Sequence, residues 1–434
     1  MNKKYQKNAH QLHYKKRNNL KIKRIAIISA LVLLVLGVIA FCIFKFTKKP
    51  VAPAINPNVE SQTSSDESTS SSQEPVTPKL SKVRFISAGD NLIHDTVYSQ
   101  AKQRAGGAGY DFKYAYENLE SVFALADLKT LNQETVLSSA HKPSGYPMFN
   151  TPQENADYLI KLGFNVFNHA TNHVLDKGVT GINSTLDYWK NHPDVLPTGV
   201  YANKDDAAKI QTITKNDITF AFLGMTESLN GLALPKNSEI VINRTADVDK
   251  MVALIKKASE ISDVVILNVH WGSEYSHSQT KAQETLAQTF VDAGADVIVG
   301  HHPHVIQPVK YLQNKDGKKA LVAFSLGNLV SSQDTGAAMI GGLLDYEFTK
   351  NLTSNTTEIT NARFIPIVNH YERNRKNIRV YPLDKYTKEL GDTHGIKYPL
   401  AGYGNYPNFS LDYIQKTVAN VVDKQFLTDY KGDN

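Results

Sequence analysis

Imidazole nitrogens are common ligands for borderline divalent metals. This chain carries Gly300-His301-His302-Pro303-His304 directly after the apolar run 297–299. Pro303 stiffens the spacing, so His302 and His304 can present their rings to one centre. His270 ends a second apolar run, and reads either as a further imidazole ligand or as a capped strand end with Trp271 packed in the core. Asn172, His173 and Asp176 form N-H-x-x-D, for which two readings are open. Either Asn172 binds a cation while Asp176 orients His173 as a general acid, or the stretch is a turn capped by Asn172. Asp90 and Glu134 supply the carboxylates that two adjacent cations need for neutralisation. Together Asp90, Glu134, Asn172, His270, His302 and His304 make a shell suited to Mn, Fe or Zn and poorly suited to Ca. Two such ions roughly 3.5–4 Å apart would clamp an attacking oxygen together with a phosphoryl or acyl oxygen.

Other chemistries find little support. There is no G-x-S-x-G elbow, P-loop or G-x-G-x-x-G in the sequence, and Gly106-Gly107-Ala108-Gly109 lacks the lysine that a phosphate cradle uses. The single cysteine, Cys42, allows neither a disulfide framework nor a thiolate metal site.

The elements that must position these residues follow an α/β pattern, short β-branched runs alternating with amphipathic stretches. Strands are expected at 83–88, 128–131, 166–168, 218–223, 264–269, 297–299 and 321–324. Helices are expected at 114–126, 154–162, 179–190, 247–261 and 279–293. Five strand runs end in polar sequences, GDNLIHD, NQET, HATNHVLD, HWGSEY and GHHPH. Ligands of open α/β sheets bind at the carboxyl ends of strands, so five such ends point to one shared site. Residues 83–330 hold all of these motifs. Residues 331–434 read as an accessory segment closing the domain, with a strand pair at 362–367 and 378–381 and a final helix near 411–426.

The N-terminal part has a different character. Residues 25–44 form an uncharged apolar run whose helix, about 30 Å long, matches a bilayer core. Nine Lys/Arg precede it, against Lys45, Lys48 and Lys49 after it. That bias predicts an uncleaved signal-anchor crossing the cell membrane once, with residues 1–24 as a basic cytoplasmic tail and the C-terminal domain extracellular. Residues 45–82, rich in Ser, Thr and Pro, read as a flexible stalk. The first 49 residues carry twelve of the 48 Lys/Arg and no acid, leaving 36 bases against 42 acids beyond them. An acidic body with its positive charge confined to a leader excludes a nucleic-acid-binding domain.

With AGDNLIHD, LNQET, NHATNHVLDKG, NVHWGSEY, GADVIVGHHPHVIQPV and FSLGN in that order, the chain resembles the CapA family of capsule-synthesis proteins. That family is associated with poly-γ-glutamate and built on the calcineurin-like metallophosphatase fold. The resemblance implies a four-layer α/β/β/α sandwich, two divalent metal ions held by the six residues above, and His173 with Asp176 as an acid dyad. It implies a metal-dependent hydrolase acting on a phosphoester or the polymer amide, or a non-catalytic scaffold of the synthesis and export complex. The partners implied are poly-γ-glutamate or another cell-surface polymer and its membrane synthetase. The superfamily's first block offers Asp-x-His, whereas Asp90 here is followed by Asn91 and Leu92, so that one ligand is missing or replaced by His94. Glu134 stands where an Asp is usual.

Overall fold

The computed structural model describes residues 79–398 and 405–428. The expected membrane span at 25–44 and the stalk up to residue 78 lie outside the described residues, among which no helix is long and apolar enough to cross a membrane. The chain runs through β1 (Leu80–Asn91), α1 (Asp95–Arg104), β2 (Leu128–Gln133), α2 (Glu154–Lys161), β3 (Val166–Asn168), α3 (Gly178–Lys190) and β4 (Leu196–Thr198). It continues through β5 (Val200–Tyr201), β6 (Gln211–Lys215), β7 (Ile218–Thr226), β8 (Val241–Ile242), α4 (Val248–Ile261), β9 (Val264–His270), α5 (Lys281–Asp292) and β10 (Val297–His301). Then follow β11 (Val309–Gln313), β12 (Lys319–Ala323), β13 (Asn328–Val330), β14 (Ile340–Asn351), β15 (Thr356–Glu372), β16 (Lys376–Pro382) and α6 (Leu411–Val421), with short helical turns between several of these elements.

One mixed sheet has the order β16-β15-β14-β1-β2-β3-β4, with β13 paired to β1; the other has the order β11-β12-β10-β9-β7-β6. The period-2 alternation of strand side chains divides the second sheet between two cores. Phe220, Phe222, Val264, Ile266, Val297 and Val299 join the core shared with the first sheet. Their neighbours Ala221, Leu223, Val265, Leu267 and Ile298 pack against Met251 and Ile255 of α4 and Phe290 of α5. Between the sheets, the Phe85 ring meets Phe220 edge-on at 4.7 Å and stacks on Tyr346 at 5.2 Å. On the first sheet's far face, Phe167 meets Trp189 of α3 at 4.7 Å.

Every expected strand is present. Residues 80–82, expected in the stalk, belong to β1, where Leu80 pairs with Asn351 and Lys82 with Thr349. The helix expected at 114–126 is present as consecutive helical segments, Lys113–Tyr116, a 3₁₀ turn at Glu117–Leu119 and Glu120–Phe123, and the buried Tyr116 donates its phenol to Asn91 Oδ1 and accepts from Asn155. Residues beyond 330 supply β14, β15 and β16 to the same sheet as β1; β14 was not expected.

A bulge in β1 determines which way the first carboxylate points. Ala88 pairs with Leu131 and Asp90 with Asn132, so Gly89 is the extra residue. Without it, strand alternation would turn Asp90 toward the helix-covered face; with it, Asp90 shares the inner face with Ser87 while Asn91 points outward to Gln133 and Tyr116. A Cβ at Gly89 would lie 1.9 Å from the Gly327 carbonyl oxygen, which itself accepts the Asp90 amide at 2.9 Å. Gly89→Ala is therefore expected to destabilise the protein by about 1–3 kcal/mol, as overpacking does, read from denaturant unfolding. Phe85→Ala should cost about 3–5 kcal/mol through the cavity between the sheets.

Candidate metal centre

Strand register gathers the polar residues. In the first sheet, Asn328, Asp90, Asn132, Asn168 and Thr198 stand side by side on β13, β1, β2, β3 and β4. In the second, Thr226, His270 and His301 do the same on β7, β9 and β10. The rows are joined by the Asn132 amide, which donates to Asp90 Oδ1 at 2.8 Å and lies 3.1 Å from His270 Nδ1. Asn168 in turn donates to Asn132 Oδ1 at 2.8 Å.

Beyond β10 the backbone turns through left-handed conformations at His302 (φ 96°) and His304 (φ 58°). Such angles are costly for residues other than glycine and persist where the surroundings enforce them. Here Asp90 accepts the His302 amide at 3.2 Å and sits 3.1 Å from His304 Nδ1. Glu134, just past β2, reaches the same space. Its Oε1 is 3.6 Å from His304 Nε2 and 3.8 Å from His270 Nε2. The His270 Nε2 also lies 3.0 Å from Asn172 Oδ1. Ligand atoms of Glu134, His302 and His304 fall within 4.8 Å of one another, as do those of Asp90, Glu134 and His270.

Apart from His302, which is half-buried, the cluster is buried, and burial governs its charges. Desolvation, helped by neighbouring imidazoles, pushes His270 well below the ordinary histidine value, and burial lowers His301 and His302 to about 4. These rings are neutral at neutral pH, with a lone pair to give. Burial pushes the Glu134 carboxyl up; it also opposes the charge on His304, but Glu134 and Asp90 outweigh it and raise His304 to about 9. Burial alone would raise Asp90 as well, yet the His304 hydrogen bond and the surrounding imidazoles hold it below its ordinary value. Both Glu134 oxygens and His302 Nδ1 are buried with no hydrogen-bond partner. Buried polar atoms are nearly always satisfied, so three that converge unsatisfied fit a divalent cation among them.

The second pair also forms. His173 Nδ1 lies 2.7 Å from Asp176 Oδ2. His173 and His304 both line a cleft bounded by the 143–149 loop, Glu274, Tyr275, Gln333 and Arg375.

A protein-family model described as "Bacterial capsule synthesis protein PGA_cap" matches residues 84–333, more than half of the chain. The chain belongs to that family. It is 32% identical over 270 residues to the PGA biosynthesis protein CapA of Bacillus subtilis, covering 61% of this chain and 67% of that one. It is 33% identical over 207 residues to the capsule biosynthesis protein CapA of Bacillus anthracis, covering 46% and 48%. A solved structure described as a novel phosphatase from Mycoplasma pneumoniae is 15% identical, with a TM-score of 0.42 over 67% of this chain and 95% of that one. A likeness at that level carries no argument about activity.

In this PGA_cap protein the six expected ligand positions are brought together. His94 is not among them: its Nδ1 lies 3.1 Å from the Leu92 carbonyl and its ring stands edge-on to Phe149. The residue that sequence reasoning passed over is His301. Its Nδ1 is buried, lacks a hydrogen-bond partner and lies 3.8 Å from Asp90 Oδ1, while its Nε2 is 3.2 Å from Asn268 Oδ1. Its place inside the run Gly300-His301-His302-Pro303-His304 was the available signal, and its pairing with His270 across β10 and β9 places it at the site.

Because both Glu134 oxygens are buried without a hydrogen-bond partner, Glu134→Met is expected to stabilise the metal-free protein by about 1 kcal/mol. The same change should reduce retained Mn or Zn, measured by plasma mass spectrometry beside an unfolding curve.

Proposed function

We propose that this protein is a metal-dependent hydrolase of capsule or poly-γ-glutamate biosynthesis and export, tethered to the cell membrane through residues 25–44 with its folded part outside. Family membership supports the polymer assignment. The observation that carries the hydrolase reading is the convergence of buried Asp90, Glu134, His270 and His304 with half-buried His302 around unsatisfied lone pairs. We read the two sheets and their outer helices as a four-layer metallophosphatase-like sandwich.

Asp90, Glu134, Asn172, His270, His302 and His304 would together hold the two divalent ions, Glu134 standing in both of the ligand groups that converge, one with His302 and His304 and one with Asp90 and His270. Bound there, Mn, Fe or Zn would polarise a phosphoryl or acyl oxygen and lower the pKa of water. The chain's own contribution is positional. Asp90 holds the His302–His304 turn through the His302 amide and the His304 ring. Asp176 engages His173 Nδ1, leaving Nε2 as the atom that passes a proton to the departing oxygen or nitrogen. The substrate class is a phosphoester or the amide linkage of the polymer.

A second reading rests on Leu92, which stands buried where the superfamily pattern carries a histidine ligand. In that reading the protein is a scaffold that holds polymer or synthetase beside a vestigial site.

The two separate on the full chain purified in detergent, stripped of metal, loaded with Mn, Fe or Zn and assayed on a chromogenic phosphodiester and on poly-γ-glutamate. The hydrolase reading expects about two ions per chain and a loss of about 100-fold or more in kcat for His302→Ala. Unchanged turnover in that variant, or no ion retained under any loading, would overturn it and leave the scaffold.

A further inference from the structure

Asp176 Oδ2 serves two donors. It takes the His173 Nδ1 contact at 2.7 Å and the backbone amide of Phe149, also at 2.7 Å. Phe149 is 1% exposed, and its ring stands edge-on to His173 at 4.8 Å and 84°. It stands edge-on to His94 as well, at 5.3 Å and 86°. One residue thus holds the acid dyad from two directions, its amide on the carboxylate and its ring on the imidazole.

The segment bearing Phe149 is tied down on both sides. Ser144 and Asn150 exchange backbone hydrogen bonds, Ser144 Oγ donates to the Met148 carbonyl, and Lys177 Nζ donates to that same carbonyl at 2.9 Å. The Asn150 amide reaches the carbonyls of Ser138 and His141, and its oxygen accepts the Ser138 amide. These bonds fix where the Phe149 ring can sit. An imidazole free to turn about χ1 and χ2 loses the alignment on which proton transfer depends, and a neighbour that blocks rotation and excludes water restores it.

We infer that Phe149 is a positioning residue for His173, holding the imidazole on Asp176 through its amide and ring and shielding the Nδ1 proton from water. This rests on the reading of His173 as the acid.

The test has an arm that needs no turnover. In the full chain in detergent, the proton between His173 Nδ1 and Asp176 is followed by proton NMR and assigned by its disappearance in His173→Gln. Wild type and Phe149→Leu, which keeps the apolar cover, are expected to exchange it with solvent slowly. Phe149→Ala is expected to exchange it at least tenfold faster. Phe123→Ala, which empties a buried ring site against Phe164, reports what general destabilisation does to the same signal. Equal exchange in wild type and Phe149→Ala overturns the inference, as does equal acceleration by Phe123→Ala.

The second arm uses phosphodiesters with 4-nitrophenol and with an alkyl alcohol as leaving group. Phe149→Ala should lose about tenfold in kcat on the alkyl ester, whose departure needs a proton, with KM and metal content unchanged and little loss on the nitrophenyl ester. Equal loss on both esters would overturn the positioning role while leaving the hydrolase reading intact. Absence of hydrolysis by wild type counts against the hydrolase reading, and proton exchange then decides the inference alone.

Discussion

The site depends on the placement of one carboxylate. Asp90 is fully buried on the inner face of β1, where it anchors the His302 amide, the His304 ring and the Asn132 amide together. Each contact bridges separate segments of chain: β1 to the loop after β10, and β1 to β2. An isolated carboxylate at that depth would be too costly to ionise, and the surrounding donors make the charge tolerable. The Gly89 bulge is what brings Asp90 to that face, so a single extra backbone residue orders the first half of the site.

This arrangement accounts for the left-handed turn that follows β10. Two histidines with positive φ at one strand end would relax into an ordinary loop if nothing held them. The Asp90 carboxylate accepts from one and contacts the other, and the Pro303 carbonyl between them accepts the Tyr275 amide at 2.8 Å. The fold gives up local stability to keep several lone pairs aimed at one volume, a pattern associated with function more than with packing.

Much of this was legible in the sequence because it depends on periodicity. The apolar runs at 264–269 and 297–299 became adjacent parallel strands, and the polar residues that end them became neighbours in register. What escaped depends on pairings between distant segments. β14 begins Ile340-Gly341-Gly342, which weakens a strand signal; yet a Cβ at Gly342 would lie 1.9 Å from the Phe364 ring, so the glycine that hides the strand is required by it. The β1 bulge was invisible for a similar reason, since nothing in Ala88-Gly89-Asp90 reveals that the register against Leu131 and Asn132 skips a residue. Helical periodicity at 114–126 gave a helical stretch over 113–123 that tightens to 3₁₀ at Glu117–Leu119, just after Tyr116, whose phenol joins Asn91 and Asn155 in a buried polar knot.

The length of β1 has a mechanical side. Leu80 through Ala88 pair antiparallel with Asn351 through Leu343, and from Phe85 onward β2 pairs along the opposite edge. A pull on the chain at residue 79, directed along the strand, would load these hydrogen bonds in parallel, as shear, and not one after another as in a peeled hairpin. Asp90 sits at the far end of that strand. Tension entering at Leu80 would dissipate into β14 and β2 before it reached the carboxylate, so the geometry around Asp90 is insulated from forces on the N-terminal side of the domain.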